Sequence, residues 1–382
     1  MPRPKKIVAP VVVEPVIVET AVVAPTGASI DRKALSAALS TVKPAVGSKA
    51  NEAVFTWVVI RDGIVSASNG SMIIERSLPI DGALPPIAAP YTLLADAVGA
   101  MSAPIIEMSA TSSLLTMRSG GATVELELCD VEQYPNRPQF ENGRLIVSMP
   151  GEQMAISLGL VVGAAAKDAT RAMLQSVYVS AGAVAGADGF RAHTSGQSWG
   201  SHVLLQPTMV SAMLAALRGA GRVIVTVTAN EHWASTTAGD VTIMGRLVSG
   251  HYPKIGDITA PFLADSAPTA TVVIDDALEA LRVALALRGD TPRISMELEK
   301  RTLTMMAHYG GATQATASVS VDAPYDLAWS IHVNGLYLRD ALQTHALIGD
   351  RTGIIVTDAK QPLGVRNGDA VAVIMPMTGG AR

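Results

Sequence analysis

Residues 175–202 read QSVYVSAGAVAGADGFRAHTSGQSWGSH, and two readings of this stretch lead to different proteins. Gly196-Gln197-Ser198-Trp199-Gly200 fits the G-x-S-x-G pattern in which a hydrolase holds a serine nucleophile on a sharp strand-to-helix turn. Asp188-Gly189, set between two runs of alternating residues, is the signature of a tight β-hairpin. The flanks decide between them. A nucleophile elbow needs a helix directly after the serine, with acidic and histidine partners further on. Here Ser201-His202-Val203-Leu204-Leu205 follows and reads as another strand, with a helix only after Pro207. The hairpin reading stands, and an esterase using Ser198 is kept only as an alternative.

Outward from the hairpin, the chain repeats itself. Before it lie a strand at 145–148 and a helix carrying Met154, Leu158, Val161, Val162 and Ala165 at helical spacing. After it come a helix following Pro207, with Val210, Met213, Leu214 and Leu217 on one face and Gly219 at its end, and strands over 222–229, 232–237 and 240–246. The unit closes at Tyr252-Pro253. The same order runs upstream. A helix capped by Ser29 or Asp31 carries Ile30, Ala34, Leu35, Ala38, Leu39 and Val42. Strands at 55–60 and 64–67, a helix after Pro90, and strands at 105–109, 114–117 and 122–128 end at Tyr134-Pro135. Downstream, a strand at 271–274 leads to a helix capped by Asp275 and ended by Gly289. A hairpin over 294–306, a helix from Asn334, and strands at 353–357 and 370–375 complete the third copy.

The two Tyr-Pro closures are 118 residues apart, and the prolines before the second helices 117. A period of about 120 exceeds that of solenoid repeats and is the size of a whole domain. The expected fold class is therefore α+β: three tandem copies of one domain, each with two helices on an antiparallel sheet of about eight strands. Their expected spans are 29–143, 144–260 and 261–382. Residues 1–28 carry five prolines among valines and read as a flexible tail or a short partner-binding arm.

Composition narrows function. Aromatics are only 4% of the chain against 49% apolar residues overall, so the cores must be aliphatic. The single cysteine, Cys129, excludes an intrachain disulfide framework and a multi-cysteine zinc site. No apolar run approaches the roughly 20 residues of a membrane span, and a soluble, cytoplasmic protein is expected. Seven histidines are scattered without ligand spacing, and neither a P-loop nor G-x-G-x-x-G occurs, so no metal or cofactor is expected. His193 reads as a partly buried structural residue; Asp62, Asp188 and Asp257 read as turn residues. A net charge of −4 argues against a tight, static nucleic-acid binder but not a loose one. Basic residues do recur near the helices of all three copies: Arg32, Lys33, Lys43 and Lys49; Lys167 and Arg171; Arg218 and Arg222; Arg282 and Arg288; Arg339.

Three segments on this repeat carry a resemblance. They are Val373-Ile374-Met375-Pro376-Met377 near the end, Arg171-Ala172-Met173-Leu174 followed by the hairpin and 192–196, and Leu247 to Pro253 with Ile258. In order and spacing they resemble the bacterial sliding clamp, the beta subunit of DNA polymerase III, from Ser29 to Thr378. The resemblance implies a homodimer closed head to tail, first domain to third, into a ring of six domains with helices lining the hole. Such a ring encircles duplex DNA without reading sequence, tethers the replicative polymerase as a processivity factor, and catalyses nothing. It implies DNA-facing roles for Arg32, Lys49, Lys167, Arg171, Arg218, Arg282 and Arg339, and a dimer interface including Val124 and Leu285. It also implies a pocket that takes short hydrophobic peptides of the polymerase and clamp loader. By position its lining is Leu174, Thr194, Gly196, Trp199, Pro253, Ile258, Val373, Met375, Pro376 and Met377. The chain departs from the family at Ser195–Trp199, where Asp-Gly-His-Arg-Leu is usual, and in the extra residues Thr378–Arg382. A divergent or phage-encoded member with its own peptide preference is expected; a non-replicative scaffold on the same fold is the other alternative.

Overall fold

The computed structural model describes residues 27–48, 52–140, 143–264, 269–287, 291–310 and 313–377. Most of the N-terminal segment, Lys49, Arg288, Gly289 and Thr378–Arg382 lie outside the described residues.

The first unit opens with β1 (Gly27–Asp31) and α1 (Arg32–Val42). Then come β2 (Trp57–Arg61), β3 (Ile64–Ser68), β4 (Met72–Ser77), the two-residue β5 (Asp81–Gly82) and β6 (Ile87–Pro90). It ends with α2 (Tyr91–Ala100), β7 (Ile105–Ala110), β8 (Leu114–Ser119) and β9 (Ala122–Glu127). The second unit begins with β10 (Arg144–Pro150), α3 (Gly151–Val162), β11 (Val177–Val179), β12 (Val184–Ala187) and β13 (Arg191–Thr194). It continues through β14 (Val203–Leu205), α4 (Pro207–Ala216), β15 (Ile224–Ala229), β16 (Trp233–Ala238) and β17 (Val241–Arg246). A linking helix, α5 (Ile255–Leu263), straddles the boundary expected at residue 260. The third unit opens with β18 (Thr269–Val273), α6 (Ile274–Ala286), β19 (Arg293–Glu299), β20 (Thr302–Gly310) and β21 (Thr313–Ser320). It closes with β22 (Trp329–Asn334), α7 (Gly335–His345), β23 (Arg351–Ile355), β24 (Leu363–Asn367) and β25 (Ala370–Ile374). Among the described residues no helix is long and apolar enough to cross a membrane.

Local chemistry accounts for the helix starts. Asp31 accepts a 2.8 Å hydrogen bond from the Ala34 amide, and Asn334 caps α7 by accepting from the amides of Leu336 and Tyr337. Pro207 occupies the first turn of α4, where its missing N–H costs nothing. Asp275 does not cap α6 as expected. It lies within the first turn, where a carboxylate favours the helix dipole instead.

The sheets are not confined to single repeats. Each unit divides its strands between two half-sheets, and halves of successive units join. One eight-stranded sheet runs β10-β15-β16-β17-β4-β3-β2-β6, and another runs β14-β11-β12-β13-β25-β24-β23-β18. The first junction pairs β17 with β4, from Val241↔Arg76 to Gly245↔Met72. The second pairs β13 with β25, from Arg191↔Ile374 to Thr194↔Val371. Residues Met72, Ile73 and Ile74 of β4 and all of β25 are buried, so their backbone groups have no water and must find a strand partner. Two half-sheets remain, β5-β1-β7-β8-β9 and β21-β20-β19-β22. At one end of each stands a strand with no second partner among the described residues, β9 and β21. By their place in the repeat, β9 corresponds to β17 and β25, and β21 to β4 and β13.

Candidate functional site

The second junction gathers the densest side-chain chemistry. The Asp188-Gly189 turn is as expected: Asp188 Oδ1 accepts from the Phe190 and Arg191 amides at 2.9 and 3.0 Å, and Gly189 takes φ +90°. This turn sets Arg191 at the start of β13 with its side chain buried. Arg191 Nε meets Asp188 Oδ2 at 3.0 Å, Nη1 meets Asp340 Oδ2 at 2.8 Å, and Nη2 donates to the Gly163 carbonyl at 2.7 Å. The guanidinium also lies 4.3 Å from the centre of the Tyr337 ring. One side chain thus ties the end of α3 and strand β13 to α7 of the next unit.

Beside it is a cavity of about 540 Å³ whose lining includes Lys167, Arg171, Phe190, Leu336, Tyr337 and Arg339. Three of the cations expected from sequence therefore come together here. The Arg171 guanidinium lies so close over Gly189 that a Cβ there would collide with it. The other expected cations are apart. Arg32 heads α1; Arg218 borders a cavity of about 440 Å³ at the first junction with Arg76 and Asp240. Arg282 is held by Glu279 on α6, Nε to Oε2 at 3.0 Å.

The expected peptide-pocket residues do not form one lining. Leu174 is buried with Ala187, Ala192 and Ile255 beside Tyr252, which stacks on Tyr178 at 5.0 Å between ring centres. Val373 is buried with Phe262, Ile355 and Val371. Thr194 is buried, and its Oγ1 donates across the junction to the Val371 carbonyl at 3.3 Å. Gly196, at φ +69°, abuts Asp369 of the β24–β25 turn so tightly that a Cβ would clash. Trp199 corrects the expectation most sharply. It is fully buried in the main core, where the largest side chain of an aromatic-poor chain finds the most contact, and so walls no open groove. Pro253, Ile258 and Met375 are exposed, while Pro376 and Met377 are half-buried. The Met375 amide donates to the carbonyl of Phe190, a residue of the 540 Å³ cavity, at 2.9 Å.

Val124 sits half-buried on the free edge β9. Leu285 does not reach the surface; it packs against Gly335 and Ile294 inside its own unit because the inner face of α6 must cover that sheet. The Ser198 hydroxyl donates to the Ala181 carbonyl, and β14 follows it, so the strand-to-helix elbow is not formed. His193 is fully buried with Nδ1 3.1 Å from the Leu160 carbonyl; burial, then the Arg191 charge, lower its pKa to about 4 and keep it neutral.

No family model and no curated protein sequence matches the chain. Solved structures do. A DNA polymerase sliding clamp from Bacillus subtilis superposes with a TM-score of 0.81 at 19% identity, over 94% of this chain and 100% of that one. A sliding clamp (DNA polymerase III subunit beta) from Bartonella birtlesii, bound to griselimycin, gives 0.82 at 17% identity over 93% and 100%. DNA polymerase III beta subunit from Thermotoga maritima gives 0.79 at 15% identity over the same shares. The chain has the sliding-clamp fold, and at these identities the likeness is one of fold.

Proposed function

We propose that this chain is a DNA sliding clamp: two copies close head to tail into a ring that encircles duplex DNA and tethers a polymerase. The observation that carries this is the pair of free edges. The repeat makes β9 and β21 the counterparts of strands that pair at both junctions within the chain. Pairing β21 of one copy with β9 of another completes the series and, done twice, leaves no counterpart of a junction strand unpaired. The strands match in pattern. β9 turns Val124 and Leu126 inward and Thr123, Glu125 and Glu127 outward; β21 turns Ala315, Ala317 and Val319 inward among threonines and serines. A protein held on DNA by closure needs only weak phosphate contacts, which suits a net charge of −4 and a few cations such as Lys167, Arg171, Arg218 and Arg339. The three repeats serve as domains, with α5 joining the second to the third. Short apolar peptides of the polymerase and the clamp loader dock at the second junction, where Phe190 and Tyr337 line a cavity and Met375 is bonded to the Phe190 backbone. In this reading the chain is a cytoplasmic, non-catalytic processivity factor.

The test is retention on nicked circular DNA, with the solution mass measured alongside. A clamp has twice the 39.6 kDa chain mass and stays on the circle until the DNA is linearised. A monomer, or equal retention on circular and linear DNA, sinks the proposal.

A further inference from the structure

The two junctions within the chain are built alike but covered differently. At the second, the link between units crosses the joined sheet and fills it. Tyr252 stacks on Tyr178, Ile255 is buried beside Leu174, and Phe262 is seated on Gly364 over Val371 and Val373. The covering piece is a helical segment that presents apolar side chains to the sheet, α5. At the first junction the link begins the same way: Tyr134 takes the place of Tyr252 in the repeat, and burial raises both hydroxyls above the ordinary tyrosine range. The short turn Val131–Gln133 precedes Tyr134, and the described residues after it, 135–140, form no helix and include none as buried as Ile255 or Phe262. A cavity of about 330 Å³ remains, with Val59, Ile64 and Ile73 among its walls. That is within the size range of ligand pockets.

The charges around this cavity are unbalanced. Arg61 faces Glu132 at 4.0 Å, and Arg137 faces Glu75 at 3.4 Å. Asp62, in the β2–β3 turn at φ +53°, lines the same cavity and has no ion-pair partner among the described residues. The site therefore offers an apolar slot with one unmatched carboxylate.

We propose that this first-junction cavity is a docking site for a partner peptide that presents one bulky apolar side chain next to a lysine or arginine. The apolar side chain fills the place that a segment of the chain itself fills at the second junction, and the basic side chain pairs with Asp62. The proposal does not depend on ring closure, because every residue of the site comes from one chain. A protein of this fold with two differently charged sites can hold two classes of partner at once.

Fluorescence anisotropy of the full chain tests it, with a labelled Gly-Ser-Lys-Phe-Ile-Gly-Ser peptide and its counterpart carrying Glu in place of Lys. The lysine peptide should bind about fivefold more tightly than the glutamate one, the size expected of one exposed charge pair. Asp62→Asn, which keeps a residue type tolerant of positive φ, should erase that preference. Ile64→Ser, at a residue 36% exposed, should weaken both peptides while leaving the melting temperature unchanged. Tyr337→Ala at the second junction should change neither. No binding by the native chain overturns the proposal, as does an undiminished preference in Asp62→Asn. Loss on Tyr337→Ala alone also overturns it, by placing the peptide at the other junction.

Discussion

Replacing Arg191 with methionine keeps the length and apolar bulk of the side chain but removes the guanidinium at the second junction. The arginine side chain is 7% exposed, with Asp188 at 15% and Asp340 at 32%. Breaking a buried ion pair from one side costs about 3–5 kcal/mol, chiefly from the charge left behind. Two features place this case at the lower end. Asp188 keeps its two backbone amide donors, and Asp340 is a third exposed and retains Arg339 at 3.2 Å. The Gly163 carbonyl loses its donor and Tyr337 its cation, each a smaller loss. The expected cost is about 3 kcal/mol, or roughly 6–12 °C in melting temperature at about 2–4 °C per kcal/mol. Arg191→Lys should restore little, because a single ammonium cannot meet two carboxylates and a carbonyl in one plane. Asp340→Asn alone should cost about 1 kcal/mol, since solvent screens that partner. Combined with Arg191→Met it should add less than that. Urea unfolding followed by circular dichroism measures all of these. If Arg191→Met unfolds within about 0.5 kcal/mol of the native protein, the guanidinium does not hold the junction and the reasoning fails.

Trp199→Ala should cost about 3–5 kcal/mol as a core cavity, whereas Ser198→Ala should leave stability and any ester hydrolysis unchanged; an active-site role for Ser198 would show as a loss of rate. Val124→Asp on β9 should leave the protein monomeric in sedimentation velocity with its melting temperature preserved, and a persistent dimer would remove β9 from the interface. Stability should also fall with acidification. His193 and His345 are buried neutral, with burial the main cause lowering their pKa values to about 4 and about 3. The unfolded chain takes up their protons near pH 6.5, so stability is full above that pH and declines as pH falls toward 4. His345→Leu should flatten that slope in urea midpoints measured across this window, and an unchanged slope would mean the histidines are not its source.

Much of the fold could be read from local signals. The helices expected after Asp31, around Met154 and at Asp275 begin at Arg32, Gly151 and Ile274, because caps and 3.6-residue periodicity act over a few residues. The elements that escaped were β1, β4, β5, β6, β21, β22, β24 and α5. β21 alternates, but with Ala315 and Ala317 against Thr and Ser the apolar contrast is slight, and β4 has only Met72-Ile73-Ile74 before it turns polar. Their strand character comes from the neighbour they pair with, which lies far away in sequence. The site was legible only in pieces. Lys167, Arg171 and Arg339 stood out singly, but nothing local says that residue 339 lies across a cavity from residue 171. Nothing local marks Arg191 except Asp188 three residues before it, and nothing near Asp340 in sequence points to Arg191.

By itself the sequence determined the threefold repeat, the α+β class, the helix starts and the Asp188-Gly189 turn. These depend on spacing, caps and backbone freedom within a few residues of each position. Only the tertiary structure decided that half-sheets of successive units join, that β9 and β21 are left open, that Trp199 and Leu285 face inward, and that α5 packs on one junction while the link at the other leaves the cavity beside Asp62. Those outcomes depend on which edge finds a hydrogen-bond partner and which surface is closed off from water. Both are settled between residues more than a hundred positions apart, as in the pairing of Arg76 with Val241 and of Arg191 with Ile374.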